Sequence, residues 1–270
     1  MAKIRAGELD MHVQRLPPVV PPAAGEAPIV VFIHGLLTDS LASYYFTLGP
    51  AFAAEGMDVI MYDLRGHGRT TRPPTGYRIE HFVEDLDALL DALEVTRPVH
   101  LVGNSFGGSI AFGLAALRPD RVASVTAIEA EPPVEAWTRH MADGLADAKT
   151  RLIEEDVIGW IAENHGAHTA RLSKAAGKLL QVTTMAEDIP LSRTIDDDLS
   201  AVGCPVFALF GDESGLSAQV DDLETKLASC RTVVLPEQGH SVLVEKTQET
   251  AELILTWVRE HSRGVLVEAE

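Results

Sequence analysis

Short apolar runs alternate along this chain with longer amphipathic stretches. Residues 9–15 have the make-up of an early strand, and a Pro/Ala/Gly-rich loop follows from Pro17 to Pro28. Ile29-Val-Val-Phe-Ile33 is continuously apolar and β-branched, as in a strand buried on both faces. A helical pattern covers 41–55, and Asp58-Val-Ile-Met-Tyr62 reads as the next strand. Ile79 to Leu93 places apolar residues at helical spacing with acids opposite, which predicts an amphipathic helix. Pro98 to Val102, Val122 to Ile128, Pro205 to Phe210 and Arg231 to Leu235 are further strand-like runs. Helices are predicted over Ser109–Leu117, ended by Arg118-Pro119-Asp120, and over Val244–His261.

Strand and helix in alternation predict an α/β fold, a mostly parallel sheet flanked by helices. The alternation stops between Pro132 and about Ser200, where only helical stretches rich in Ala, Glu and His occur. That interruption predicts a helical cap inserted between two strands of one sheet. The expected organisation is a core over 1–131, a cap over 132–200, the rest of the core over 201–262, and a frayed tail over 263–270.

Composition narrows the partners. The 270 residues suffice for one large domain with a full core. Forty Asp and Glu against 22 Lys and Arg leave a net charge of −18, which weighs against nucleic acid or an anionic membrane as partner. No apolar stretch follows the charges of Met1-Ala-Lys-Ile-Arg, and none is long enough to span a bilayer, so a cytoplasmic setting is expected. Cys204 and Cys230 stand apart in apolar surroundings and are expected to pack rather than bridge. The histidines show no metal-site spacing, so neither a metal nor a cofactor is expected.

Candidate chemistry centres on Gly103-Asn-Ser105-Phe-Gly107, a G-x-S-x-G turn between a strand and a helix. Such a turn presents a serine hydroxyl at the carboxyl end of a sheet, where open α/β sheets place their sites. A free serine is a poor nucleophile at neutral pH and needs a base. His240, in Gln238-Gly-His240-Ser241 after the last strand, is suitably placed. Acyl transfer also builds negative charge on a carbonyl oxygen, which two backbone N–H groups can stabilise. The amides of Phe106, next after the serine, and Leu36, in His34-Gly-Leu36-Leu37, are the candidates, with His34 read as a turn-packing residue.

His-Gly after a strand, Asp63-Leu-Arg65-Gly-His67-Gly (D-x-R-G-x-G), the serine elbow and a terminal Gly-His-Ser occur in the order and spacing of the α/β-hydrolase superfamily. The resemblance covers nearly the whole chain. It implies a Ser-acid-His triad, and a structural role for Asp63, Arg65 and His67. The superfamily's usual acid position falls on Ser214, which cannot serve. Two alternatives preserve the chain order: Asp212, one residue after the end of the strand, and Glu129, in Glu129-Ala-Glu131-Pro-Pro, which looks like the acid-bearing segment of polyketide thioesterases. Glu129 is preferred because it ends a strand inside the sheet, and Glu131 is expected to be solvated.

A serine at the elbow separates this chain from haloalkane dehalogenases and epoxide hydrolases, which place aspartate there. The resemblance therefore implies hydrolysis of a carboxylic ester or thioester through an acyl-serine. Alternatives are C–C bond hydrolysis of a dienoate ketone, which uses a cap arginine to bind carboxylate, and a silent ligand-binding member. Arg139, Arg151, Arg171 and Arg193 lie in the cap region. Trp137, Trp160, Met141 and Met185 are candidate pocket residues, with packing between cap helices the competing role. The basic stretch Arg65, Arg69, Arg72 and Arg78 is expected at the site rim, where it would serve the loop or recruit an anionic substrate or an acyl-carrier protein.

Overall fold

A computed structural model describes residues 2–21 and 26–262. Eight strands, β1 (Ala2–Ala6), β2 (Leu9–Leu16), β3 (Ile29–Ile33), β4 (Asp58–Tyr62), β5 (Val99–Asn104), β6 (Val122–Ile128), β7 (Val206–Gly211) and β8 (Cys230–Leu235), form one sheet. Their spatial order is β1-β2-β4-β3-β5-β6-β7-β8. β1 and β2 pair antiparallel with each other, and β2 with β4; all other pairings are parallel. The mostly parallel sheet expected from the alternating pattern is therefore present.

Continuous apolar strands need cover on both faces, and helices supply it. Helices Ile79–Ala92 and Phe106–Leu117 pack one face through Phe82, Leu86, Ile110 and Leu114. Helices Gly49–Ala54 and Thr247–Ser262 cover the other through Phe52, Ile254 and Trp257. Between β6 and β7 the chain leaves the sheet for helices Glu135–Arg151 and Glu155–Val182. The second of these is two helices meeting at Gly166, whose φ of 87° breaks the helical path.

Several boundaries differ from expectation. The pattern over 41–55 forms two short helices, Ala42–Tyr45 and Gly49–Ala54, because Pro50 lacks an N–H and fits only the first turn of a helix. The final helix is likewise preceded by a separate turn, Val242–Glu245, with the break at Lys246. β1, too short to show a period, and the helix Val220–Lys226 between β7 and β8 were not foreseen. Part of the loop before β3, and the tail expected over 263–270, lie outside the described residues.

One buried polar link ties the core layers. His100 of β5 shares a hydrogen bond of 2.8 Å with the Ser124 hydroxyl of β6, and one of 3.0 Å with Ser262 of the last helix. Burial, helped by nearby His261, pushes its pKa down to about 4. In the unfolded chain an ordinary histidine titrates near ~6.5. Between these values the unfolded state binds a proton that the folded state refuses. The stabilisation from neutral His100 is thus fully present above about pH 6.5 and is lost as pH falls towards about 4. The slope from this one group is roughly 1.4 kcal/mol per pH unit. His100→Gln should flatten the pH dependence of the urea midpoint between about pH 6 and pH 4.5. Identical slopes in variant and wild type would rule out this role for His100.

Candidate active site

The site assembles at the carboxyl ends of β5, β6, β7 and β8. Ser105 is the first residue beyond β5, with φ 52° and ψ −124°, a conformation that costs energy for a residue with a side chain. Its N–H donates to the Ile128 carbonyl at 2.8 Å, which carries the β5–β6 pairing one step past the strand. Helix Phe106–Leu117 starts immediately, so Gly107 is pressed against β3; a Cβ there would overlap the carbonyl oxygen of Ile33. The hydroxyl of Ser105 is thereby raised above the sheet.

Glu129 occupies the equivalent place on the neighbouring strand, directly after β6. It too has positive φ, 47°, and its N–H continues the ladder to Leu209 O at 2.8 Å. Its side chain is fully buried, at 0 % exposure. Oε1 accepts the Gly211 N–H at 2.5 Å, while Oε2 accepts the Ser214 hydroxyl at 2.6 Å and lies 3.0 Å from His240 Nδ1. The carboxylate is an acceptor, which assigns the hydrogen to Nδ1 and leaves Nε2 with its lone pair. Nε2 stands 3.2 Å from Ser105 Oγ. Ser105, His240 and Glu129 are therefore joined in one line of hydrogen bonds.

The alternative acid is engaged elsewhere. Asp212 is exposed, and its Oδ1 takes the Gln238 N–H at 3.3 Å, steadying the loop before His240 from outside. Ser214, at the superfamily's usual acid position, turns inward and donates to Glu129 instead. The His240 loop must cross the end of β7 to reach β5 and β6. It does so by lying on Gly211, where a Cβ would overlap the Gln238 carbonyl. Glu213 N–H fastens to that same carbonyl at 2.9 Å.

The loop carrying Leu36 is braced from below. His34 is buried; its Nδ1 faces Gly35 O at 2.7 Å and its Nε2 accepts the Leu64 N–H at 3.0 Å, in keeping with a turn-packing role. His67 Nδ1 lies 2.8 Å from Arg65 O, and Nε2 accepts the Leu37 N–H at 2.9 Å. Burial first, then the neighbouring His34, pushes the His67 pKa down to about 3, so this bracket is a neutral imidazole. Leu37 is held at φ 67°. With the amides of Gly35, Leu37 and Thr38 bonded to Asp39, His67 and Leu36 O, those of Leu36 and Phe106 have no protein acceptor among the described residues. Asp63 supports the adjoining loop. Burial alone would raise its pKa, but the Arg69 and Leu41 N–H groups and His12 hold it below the ordinary range.

Above the serine opens a cavity of about 640 Å³. Ser105, Phe106, Trp137, Met141, Leu216 and His240 are among its lining. Trp137, only 2 % exposed, stacks on Phe106 with ring centroids 6.0 Å apart. Trp160 does not belong here: it is 57 % exposed on the outer cap, edge-on to His165. Met185 is buried in the core and is absent from the lining. Glu131 was expected in solvent, yet it lines the cavity and its Oε2 lies 2.6 Å from His140 Nδ1. His140 stands in no recognisable motif, and its nine-residue separation from Glu131 carries no signal.

None of the arginines considered above lines the cavity. Arg139 pairs with Glu135 and Arg151 with Asp147, one helical turn away in each case. Arg65 sits in a buried two-point pair with Asp85, at 2.6 and 2.7 Å, and Arg72 donates to Gly66 O at 3.0 Å. Arg65 and Arg72 thus serve the loop. No cluster of residues suited to a metal occurs among the described residues, and no described helix is long and apolar enough to cross a membrane.

A model of the alpha/beta hydrolase fold matches residues 28–247. Over 122 residues the chain is 34% identical to a bifunctional esterase/perhydrolase of Acinetobacter calcoaceticus, covering 44% of this chain and 43% of that one. Over 246 residues it is 28% identical to the dihydrolipoyllysine-residue acetyltransferase component of the acetoin cleaving system of Pseudomonas putida, covering 88% and 65%. The chain therefore spans less than two thirds of the length of these relatives. Among solved structures, an esterase from Exiguobacterium antarcticum superposes with a TM-score of 0.74 at 18% identity, covering 96% of this chain and 100% of that one.

The geometry ranks the two acids. In single-turnover acylation by a nitrophenyl ester, Glu129→Gln should lose on the order of 10⁴ in rate, since an amide favours the wrong tautomer and cannot stabilise an imidazolium. Asp212→Asn should stay within about tenfold of wild type, because only one long loop hydrogen bond changes. The reverse ranking would hand the role to Asp212.

Proposed function

We propose that this chain, which belongs to the alpha/beta hydrolase fold family, is a serine-dependent hydrolase of carboxylic esters or thioesters. The observation that carries the reading is the line of hydrogen bonds from Ser105 through His240 to the buried Glu129 on the cavity floor. In this mechanism His240 Nε2 takes the Ser105 proton as Oγ attacks the substrate carbonyl. Negative charge on the carbonyl oxygen is met by the N–H groups of Leu36 and Phe106. Being fixed in advance, they need no reorganisation when the charge appears. His240, now an imidazolium paired with Glu129, protonates the departing alkoxide or thiolate. Water then repeats the sequence on the acyl-serine and releases the acid.

Hydrolysis as such agrees with the esterase relative. The C–C bond alternative is disfavoured, because its substrate carries a carboxylate and no lysine or arginine is among the lining residues. A silent binding role is disfavoured by the 3.2 Å approach of His240 to the serine, an arrangement that binding alone does not require.

Ser105→Ala should abolish hydrolysis of nitrophenyl acetate, with a loss of ~10⁴–10⁶ in rate and an unfolding midpoint close to wild type. A fluorophosphonate should label Ser105 in the wild type, as read by peptide mass. Turnover by the alanine variant within tenfold of wild type would remove the serine from the mechanism.

A further inference from the structure

The cavity lining holds carboxylates but no lysine or arginine. The carboxylates are Glu129 and Glu131, and the other titratable groups are the imidazoles of His140 and His240. Glu129 is fully buried and bonded by three donors, so its charge is committed within the protein. Glu131 differs. Its side chain is 26% exposed at the cavity wall and has one partner among the described residues, His140 at 2.6 Å.

The segment that bears Glu131 is anchored to the helix after the elbow. Its carbonyl oxygen accepts the Ser109 hydroxyl at 2.6 Å, and Ala130 beside it packs so closely on Gly108 that a Cβ there would overlap the alanine. His140 reaches it from the cap helix Glu135–Arg151, so core and cap hold the carboxylate together. A fixed, partly desolvated carboxylate repels an anion and attracts a cation more strongly than one free in water. Ser109 and Met141, which also line this wall, add no positive charge.

We propose that Glu131 is a charge-selecting residue of the substrate pocket. It disfavours acyl groups that end in a carboxylate and favours those that end in an ammonium group over neutral chains of equal length. This rests on the serine hydrolase reading for turnover, but charge selection is also a property of binding.

The test compares nitrophenyl esters of heptanoic acid, aminohexanoic acid and adipic acid (as the monoester), which end in methyl, ammonium and carboxylate. All three esters are assayed at the same pH and ionic strength. In the wild type, kcat/KM for the carboxylate ester should be at least tenfold below that for heptanoate, and the ammonium ester should be severalfold above it. Glu131→Gln should bring both ratios to within about threefold of one; the ratios, not the absolute rates, are the readout. Equal rates across the wild-type series, or unchanged ratios in Glu131→Gln, would overturn the assignment.

If the wild type turns over none of the three, the nucleophile reading fails and calorimetry still decides the selection. Hexylammonium should then bind more tightly than hexanoate to the wild type, and the two should bind alike in Glu131→Gln. Equal binding of both ions to the wild type would overturn it.

Discussion

A carboxylate sealed from water is costly unless donors surround it. Glu129 has three, and each comes from a different part of the chain: the Gly211 N–H at the end of β7, the Ser214 hydroxyl in the following turn, and His240 beyond β8. Satisfying this one group fixes the positions of the others. Ser214 must turn inward, β7 must end at a glycine, and the last loop must bring its imidazole across two strands. In the proposed mechanism the same donors keep the Glu129 carboxylate aimed at Nδ1, so the need to satisfy a buried polar group and the need to orient a base coincide.

The surrounding backbone carries the cost of that arrangement. Ser105 and Glu129 both stand at positive φ as the first residues past adjacent parallel strands. The sheet ladder holds them there, since each N–H donates to the next strand's backbone carbonyl. Neighbouring strands lie ~4.8 Å apart, so side chains leaving two strands at the same level are near neighbours without any loop search. The loop that bears Leu36 depends on two buried histidines. His34 and His67 accept N–H groups of Leu64 and Leu37 across 30 residues of sequence, and so lock the D-x-R-G-x-G loop to the loop that bears Leu36.

What was legible in the sequence follows from how local each signal is. β3, β4 and β6 lie where their apolar runs predict, because strands buried on both faces leave little freedom in register. The elbow was legible because Gly107 and the strand–helix change are adjacent to Ser105. The choice between Glu129 and Asp212 was not decidable from spacing, because it turns on which way the strand end after β7 faces. There Ser214 points in and Asp212 points out. Trp137 and Trp160 read alike as apolar residues of cap helices, yet one stacks on Phe106 and the other lies outside. Only the packing of the cap on the core distinguishes them. Glu131 lost its expected exposure for a similar reason: its partner, His140, belongs to the cap helix and approaches from above.

Glu129, and not Asp212, is proposed to set the tautomer of His240. Nitrogen NMR of histidine-labelled protein at a pH where the ring is neutral reads this directly, because protonated and lone-pair nitrogens have separate shifts. His240 should carry its hydrogen on Nδ1 in the wild type and in Asp212→Asn, and Glu129→Gln should lose this preference. A tautomer unchanged in Glu129→Gln but lost in Asp212→Asn would contradict that assignment.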